Sequence, residues 1–421
     1  MNRRKFLRSS GEVALVTAMP GLSSSIWADS SMPVLPQWSR GMLDLHHINT
    51  GRGNATLVVM PDGTSLLIDA GATSTRGPAV CPARPDESRR PGEWIARYVQ
   101  RQLTATGHAK LDYALATHLH GDHVGDVTDS SPRSSYGDYR LTGISDVAEV
   151  IPITTLIDRG FPDYDFPTKV AAPTALNYIR FVQSVQQRET RVERARPGSV
   201  NQIIQLIQRH ARQSDSQFEI RILSSSGAIR TGQGEENRIL IPSGAIAPKD
   251  EIESENMLSI ALRLRYGKFT YFTGADLNCL TNYGRDPWRD IETPVAQAAG
   301  PVDVATCNHH AYFDACGPAF VQALKPRVWI LQSWHAAHAS ISSLANISST
   351  SLYPEQRDVF CLGLHPAAGV VSGRFSDRFK SKQGHVLVRV APGGEEYRVF
   401  VIDDGNEDAN VTGAFGPYRS S

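Results

Sequence analysis

Three imidazoles and a carboxylate crowd into six residues at His118-Leu119-His120-Gly121-Asp122-His123, directly after the apolar run Leu111 to Thr117. Packing such groups together without a cation is costly, because mutual repulsion and desolvation both oppose it. At a strand end, alternate residues point the same way. His118 and His120 can therefore grip one ion, while Asp122 and His123 turn away from that pair and can hold a second. Neutral imidazole and carboxylate are the ligands of catalytic zinc sites, where a coordination position stays open for water. A chain with this cluster is expected to fold so that a strand end meets further ligands from elsewhere.

Two later segments offer them. The apolar strand Phe269 to Thr273 runs into a Gly274-Ala275 turn that presents Asp276, a candidate bridge between two ions. The apolar stretch Val302 to Cys307 then leads to Asn308 and the pair His309-His310. One histidine of the pair is expected to ligate metal. The other is expected to meet substrate or protonate a leaving group. The residues alone leave open which does which.

The intervening pattern is that of alternating sheet and helix. Leu43 to Ile48, Ala55 to Met60 and Ser65 to Asp69 read as strands joined by short turns, so they are expected to pair antiparallel. Residues 72–92 are rich in Pro, Arg and Gly and read as a loop, and Trp94 to Leu103 has helical apolar spacing. In the middle, a strand is expected within Val150 to Asp158 and helices over Ala175 to Arg188 and Asn201 to Arg212, with an Arg-rich stretch, Arg188 to Arg196, between the helices as a solvated helix surface or, alternatively, a basic lip for an anionic substrate. The last third returns to strands: Phe218 to Leu223, a hairpin around Gly267, then Asp303 to Thr306, Arg327 to Gln332, Asp358 to Cys361, His385 to Val390 and Tyr397 to Ile402. Two sheet-rich halves flanking helical segments predict an α/β fold with two packed sheets and helices outside.

Taken together, these motifs resemble the metallo-β-lactamase superfamily, through His118-x-His120-x-Asp122-His123. They are similar to its ComEC-like competence-protein branch through His47-Ile48-Asn49-Thr50-Gly51-Arg52-Gly53-Asn54-Ala55, Leu66-Leu67-Ile68-Asp69-Ala70-Gly71, Asn256-Met257-Leu258-Ser259, the turn before Asp276, His309-His310, and the segment Trp329 to His338. The resemblance implies a four-layer αββα sandwich over residues 41–405, with a partly helical insertion near 126–215. It implies that Asp69 sits beneath the metals and orients a ligand histidine. His335 and His338 become substrate-side candidates, and Asn256 and Ser259 either position substrate or cap the hairpin. The chain departs from the family pattern in several places. Ala275 precedes Asp276 where the aspartate usually follows glycine directly. Arg52-Gly53-Asn54 stands for Gln-Gly-Asp, Ala311 for Gly and Ala339 for Pro. The superfamily's additional histidine has no clear counterpart, since His210 falls on an expected helix face.

The expected chemistry is hydrolysis by a water activated between two divalent ions, zinc or alternatively manganese. His118, His120, Asp122, His123, Asp276, His309 and His310 are the metal candidates. Asp122, Asp276, His310 and His338 are the candidates for proton transfer and oxyanion stabilisation. A phosphodiester or related ester is the first substrate class. A small ester, lactone or β-lactam is the second. A non-catalytic metal-binding envelope protein is the alternative of a different kind. Lys plus Arg and Asp plus Glu each total 43 in 421 residues, so the formal net charge is zero and long nucleic acid is not favoured as a partner.

Residues 1–28 carry a positive start with paired arginines, Asn2-Arg3-Arg4-Lys5-Phe6-Leu7, an apolar middle and a small-residue exit. That pattern is expected to be a twin-arginine signal, read by the twin-arginine export machinery and delivering a folded chain to the periplasm or beyond. Residues 29–40 read as a linker and 406–421 as a C-terminal tail. No later stretch reaches roughly 18 uncharged apolar residues, so stable membrane insertion is not expected. The five cysteines lack a CxxC pair and read as free thiols.

Overall fold

The computed structural model describes residues 34–207, 218–231, 236–241, 255–280 and 289–421. The expected signal at 1–28 and His210 lie outside the described residues.

The described strands form two mixed sheets. The first uses β1 (Leu43–His47), β2 (Thr56–Val59), β3 (Ser65–Ile68), β4 (Leu111–Leu115), β5 (Ile153–Asp158), β6 (Arg191–Arg194), β15 (His385–Val390), β16 (Glu396–Ile402) and β17 (Val411–Arg419), in the order β17-β16-β15-β1-β2-β3-β4-β5-β6. The second uses β7 (Phe218–Ser225), β8 (Ala228–Arg230), β9 (Asn237–Ile239), β10 (Ala261–Tyr266), β11 (Phe269–Thr273), β12 (Val304–Thr306), β13 (Val328–Leu331) and β14 (Asp358–Cys361), in the order β14-β13-β12-β11-β10-β7-β8-β9. The hairpins pair antiparallel, whereas β3 to β6 and β11 to β14 are parallel neighbours.

The strands are apolar on both faces because both faces are covered. Leu43, Leu45, Val58, Leu66, Leu115, Leu262, Leu264, Tyr271, Val304 and Ile330 interlock in one core between the sheets. Their alternate neighbours along each strand, such as Leu57, Val59, Leu67 and Ala114, face outward against α1 (Pro91–Thr106), α3 (Ile144–Val150) and α4 (Pro173–Gln187). The second sheet's outer face is covered by α5 (Glu292–Ala299), α6 (Pro318–Leu324), α7 (Ile341–Ser348) and α8 (Pro366–Ser376). Four layers result, helix-sheet-sheet-helix, as the motif order implied. The helix read at Trp94 to Leu103 begins earlier, because Pro91 fits the first turn and Glu93 accepts from the Arg90 amide at 2.8 Å. It buries Ile95, Val99 and Leu103, each worth about 2 kcal/mol.

Several expectations are corrected. The stretch near 126–215 is not an insertion, since β5 and β6 continue the first sheet in parallel beside β4 and α3 and α4 cover its face. Its Arg-rich segment is an edge strand, β6, rather than a helix surface; charged side chains on an edge discourage further strand pairing. Within the expected helix at 201–212, residues 201–207 are irregular. The amides of Leu206 and Ile207 donate to Thr64 Oγ1 and Asp62 Oδ2, both at 2.8 Å, instead of to carbonyls one turn back. Finally, 406–421 is no tail. β17 pairs with β16, Phe415 packs on the inter-sheet core, and Tyr418 donates to Asp358 at 2.8 Å. The linker region also docks, where Val34 bridges Asn410 and Leu35 joins a small core with Phe400.

Candidate metal centre

The candidate residues converge where β3, β4, β11 and β12 end. After β4 the chain passes through Thr117 and His118 to a single helical turn, α2 (Gly121–Val124), which starts from His120. The amide of Leu119, between the first two histidines, donates to Glu255 Oε1 at 2.8 Å. Glu255 is itself clamped by the buried Arg159, with Nε at 2.7 Å and a second, shorter contact from Nη2. From the other side, Asn54 N donates to the Asp122 carbonyl at 2.8 Å. Gly71 passes so close that a Cβ there would lie 1.9 Å from that same oxygen. The ligand loop is thus held by one ion pair and two close backbone passes.

Asp276 is reached by a different device. Ala275 takes a left-handed conformation, φ 49°, and its carbonyl accepts from His309 N at 2.9 Å. The extra residue before the aspartate is absorbed in that turn. The next loop carries three successive left-handed residues, His309, His310 and Ala311, with φ of 43°, 53° and 57°. Alanine there costs on the order of 1 kcal/mol relative to glycine. The loop is anchored by the buried carboxyl of Glu292, which accepts from the amides of Cys316 (2.8 Å) and Gly317 (2.9 Å) and from Asn308 Nδ2 (3.1 Å).

Two ligand sets result, and they share Asp276. One is His118, His120 and Asp276; the other is Asp122, His123, Asp276 and His310. His118 Nε2 lies 3.1 Å from His120 Nδ1 and 3.7 Å from Asp276 Oδ2. His123 Nε2 lies 3.1 Å from Asp276 Oδ1 and 4.0 Å from Asp122. His310 Nε2 lies 2.9 Å from Asp122 Oδ2 and 3.6 Å from Asp276 Oδ2. Within the first cluster, His118 and His120 fall in one candidate group and Asp122 and His123 in the other.

The back of each ring is tied down. Asp69 Oδ2 accepts from His123 Nδ1 at 2.7 Å and from Thr117 Oγ1 at 2.7 Å, while its Oδ1 accepts from Thr117 N at 2.8 Å. The Gln332 carbonyl accepts from His310 Nδ1 at 2.9 Å. Both rings therefore turn Nε2 towards the carboxylates, the second-layer arrangement expected behind a ligand histidine.

These residues suit divalent cations. His123 Nε2 and Asp276 Oδ1 are buried, face each other, and make no hydrogen bond. Burial, reinforced by the charge of His123, holds His118 well below the ordinary histidine range, so it presents a lone pair. Burial works against a charge on His123 and His310 too, but Asp276 and its neighbours outweigh it; His123 is raised well above its ordinary value and His310 to about 10. Burial would likewise raise the two carboxylates, yet His123 and His310 hold Asp122 and Asp276 well below the ordinary range. The centre thus balances buried carboxylates with protons on imidazole. Bound cations would supply that positive charge and release the protons.

The two histidines of the pair His309-His310 stand in different places. His310 points into the second set. His309 is in neither, lying 4.0 Å from Asp276 and 17% exposed, with Nδ1 on Asp314 at 2.7 Å and Nε2 beside Asn256 at 3.2 Å. His338 is buried and stacks on His310 with centroids 4.6 Å apart, its Nδ1 without a hydrogen bond. It too lies outside the ligand sets. His335 is half-buried at the edge of His338. Ser259 is buried, its carbonyl accepting from Ser224 Oγ at 3.2 Å and its own hydroxyl making no hydrogen bond.

Sequence reasoning overlooked Glu255 and Arg159, Asp314, Glu292, and Trp334, whose indole Nε1 lies 3.4 Å from His310 Nε2. Arg159 and Glu292 each lie near other charged residues, Asp158 and Asp290, so they read as parts of polar turns. That pattern does not distinguish a buried anchor from a surface position.

Residues 48–141, which carry Asp69 and the whole His118–His123 cluster, match the family model described as Metallo-beta-lactamase superfamily. No curated protein matches the chain. Among solved structures, a CmlA β-hydroxylase mutant is 11% identical with a TM-score of 0.37; the alignment covers 83% of this chain and 54% of that one, so this chain spans about half its length. The metallo-β-lactamase fold protein YhfI from Bacillus subtilis is 13% identical, TM-score 0.30, covering 82% and 95%. A diphosphatase from the PhnP family is 11% identical, TM-score 0.31, covering 83% and 97%. With the family match containing the ligand loop, and two mixed sheets packed face to face between helices, the chain has the metallo-β-lactamase fold.

Proposed function

We propose that this protein is a metal-dependent hydrolase acting on a phosphodiester or a related ester. The observation that carries the proposal is the pair of buried ligand sets sharing Asp276. His118, His120 and Asp276 would hold one ion, and Asp122, His123, Asp276 and His310 the other. When bound, such ions, zinc or alternatively manganese, supply Lewis acidity and bring the pKa of a water to near neutrality.

The chain's own groups orient the chemistry. Asp69 and the Gln332 carbonyl fix the tautomers of His123 and His310. Asp122, the most accessible of the central carboxylates, is placed to accept a proton. His309, backed by Asp314 and standing at the rim, is placed to hold a proton at Nε2 and deliver it to a leaving oxygen. It takes the role that the residues alone left shared with His310. His338, packed on His310, is a positioning residue for that ring. The phosphodiester preference rests on the resemblance to the ComEC-like branch. The paired-arginine start supports a periplasmic or extracellular location reached through twin-arginine export; a mature protein that began at Met1 would refute that route.

Elemental analysis should find two ions per chain. Turnover of bis(4-nitrophenyl) phosphate should exceed that of 4-nitrophenyl acetate and nitrocefin, vanish with chelator and return with zinc or manganese. Full turnover after exhaustive chelation would end the hydrolase proposal. Metal without turnover of any of the three would favour a binding protein.

A further inference from the structure

A second constellation lies beside the metal loops. A cavity of about 320 Å³ is bounded by the turn at Thr50, the segment from Arg76 and the start of α1. Five guanidinium groups line it, from Arg52, Arg76, Arg84, Arg89 and Arg90, against three carboxylates. The chain as a whole has no net charge, so this is a local excess.

Most of that excess is poorly neutralised. Arg90 is satisfied, with Asp146 at 2.6 Å and Glu93 at 3.2 Å. Arg84 reaches only Asp404, at 3.7 Å, and its Nε makes no hydrogen bond. Arg52 is 5% exposed, and its one carboxylate neighbour is Glu87 at 3.4 Å, on a side chain that is 79% exposed. The Arg76 guanidinium meets only the carbonyls of Thr73 and Thr75, at 2.8 and 2.9 Å. Neither Arg76 nor Arg89 pairs with a carboxylate among the described residues. Burial, with the charge of Arg76 beside it, pulls the Arg52 guanidinium below its ordinary pKa.

The cavity is joined to the metal centre by short links. Arg52 Nη1 donates to the Cys81 carbonyl, Cys81 N donates to the Trp334 carbonyl at 2.9 Å, and the Trp334 indole reaches His310. On the other side, Asn54, two residues from Arg52, holds the Asp122 carbonyl.

We propose that this arginine cavity is an anion subsite, which binds a second phosphate or carboxylate group of a small substrate, away from the bond that is broken. Guanidinium forks match both anions, and a desolvated, under-neutralised set gains most from one. A volume at the lower end of ligand pockets suits a compact charged group rather than a polymer. The substrate role rests on the hydrolase reading above; the binding itself does not.

The test uses the full-length protein and inorganic pyrophosphate. Arg76 and Arg89 are exposed, so Arg76→Ala/Arg89→Ala should fold. Titration calorimetry on chelator-treated, desalted protein should detect pyrophosphate binding that weakens at least tenfold in the double variant. With metal restored, thymidine 5′-(4-nitrophenyl phosphate) is compared with its 3′-phosphorylated form. The 3′-phosphate should lower KM about tenfold in the unaltered protein and not in the variant, with bis(4-nitrophenyl) phosphate turnover unchanged in both. Pyrophosphate that fails to bind, or binds both proteins equally, overturns the subsite. Arginine-dependent binding without hydrolysis of either ester leaves the subsite standing and removes the hydrolase reading.

Discussion

At the scale of single residues, two adjacent histidines stand in different surroundings. His310 Nε2 sits 2.9 Å from Asp122 inside a ligand set, whereas His309 stands at the rim with Asp314 behind it. His310→Ala should therefore lose metal, measured as a drop from two ions per chain towards one. His309→Ala should keep both ions and lower kcat by about 10²- to 10⁴-fold, the usual range for a removed proton donor. Equal metal loss in both variants would contradict the assignment. Pair membership was legible from the sequence as a motif. Which partner points inward was not, because it depends on three consecutive left-handed residues and on a carbonyl, Gln332 O, that arrives from β13's end.

At the scale of elements, the loop carrying these histidines hangs on the first turn of α5. Glu292 is fully buried, and burial raises its carboxyl to about 8 although two amides and Asn308 favour its charge. A carboxyl raised above its unfolded value contributes stability that is complete below about pH 4.5 and lost as pH rises through about 8. Urea unfolding of the metal-free protein should show this against Glu292→Gln. Between pH 5 and 8 the difference should move in the variant's favour by up to about 1.4 kcal/mol per pH unit. Parallel pH curves would refute the raised value. The ligand loop has its own constraint in Gly71. Gly71→Ala places a methyl against the Asp122 carbonyl and should reduce bound metal, read by elemental analysis, while the far-ultraviolet circular dichroism stays that of the parent.

At the scale of the whole molecule, a buried neutral histidine joins the two sheets alongside the apolar side chains, and a second one lies within the first sheet. His47 Nε2 meets Tyr271 OH at 3.1 Å across the sandwich, and His385 Nδ1 accepts from Asn49 N at 3.0 Å. Burial lowers His47 to about 4 and His385 to about 3. The unfolded chain binds their protons below about pH 6.5 while the folded chain does not. Stability should fall as pH drops from 6.5 towards 4, by up to about 1.4 kcal/mol per unit for each histidine. Thermal unfolding of the metal-free protein should show that slope, and His47→Gln should flatten it; an unchanged slope in the variant would assign the acid sensitivity elsewhere.

The sequence by itself determined the parts whose signal is local. Alternating and continuous apolar runs specified the described strands other than β6, β8, β9 and β17, because a covered sheet face must be apolar whatever lies on it. The six-residue cluster marked the place where the candidate ligands gather, because four metal-ligating side chains within six residues are a local signal. Tertiary structure decided what depends on distant chain. It made β17 from an expected tail and turned an Arg-rich stretch into an edge strand, since a strand needs a neighbour that local pattern does not name. It selected His310 over His309, absorbed Ala275 in a left-handed turn, and placed Glu255 with Arg159 beneath the ligand loop. It also gathered arginines from two loops into one cavity. Each of these rests on contacts between segments far apart in sequence, where packing rather than propensity sets the outcome.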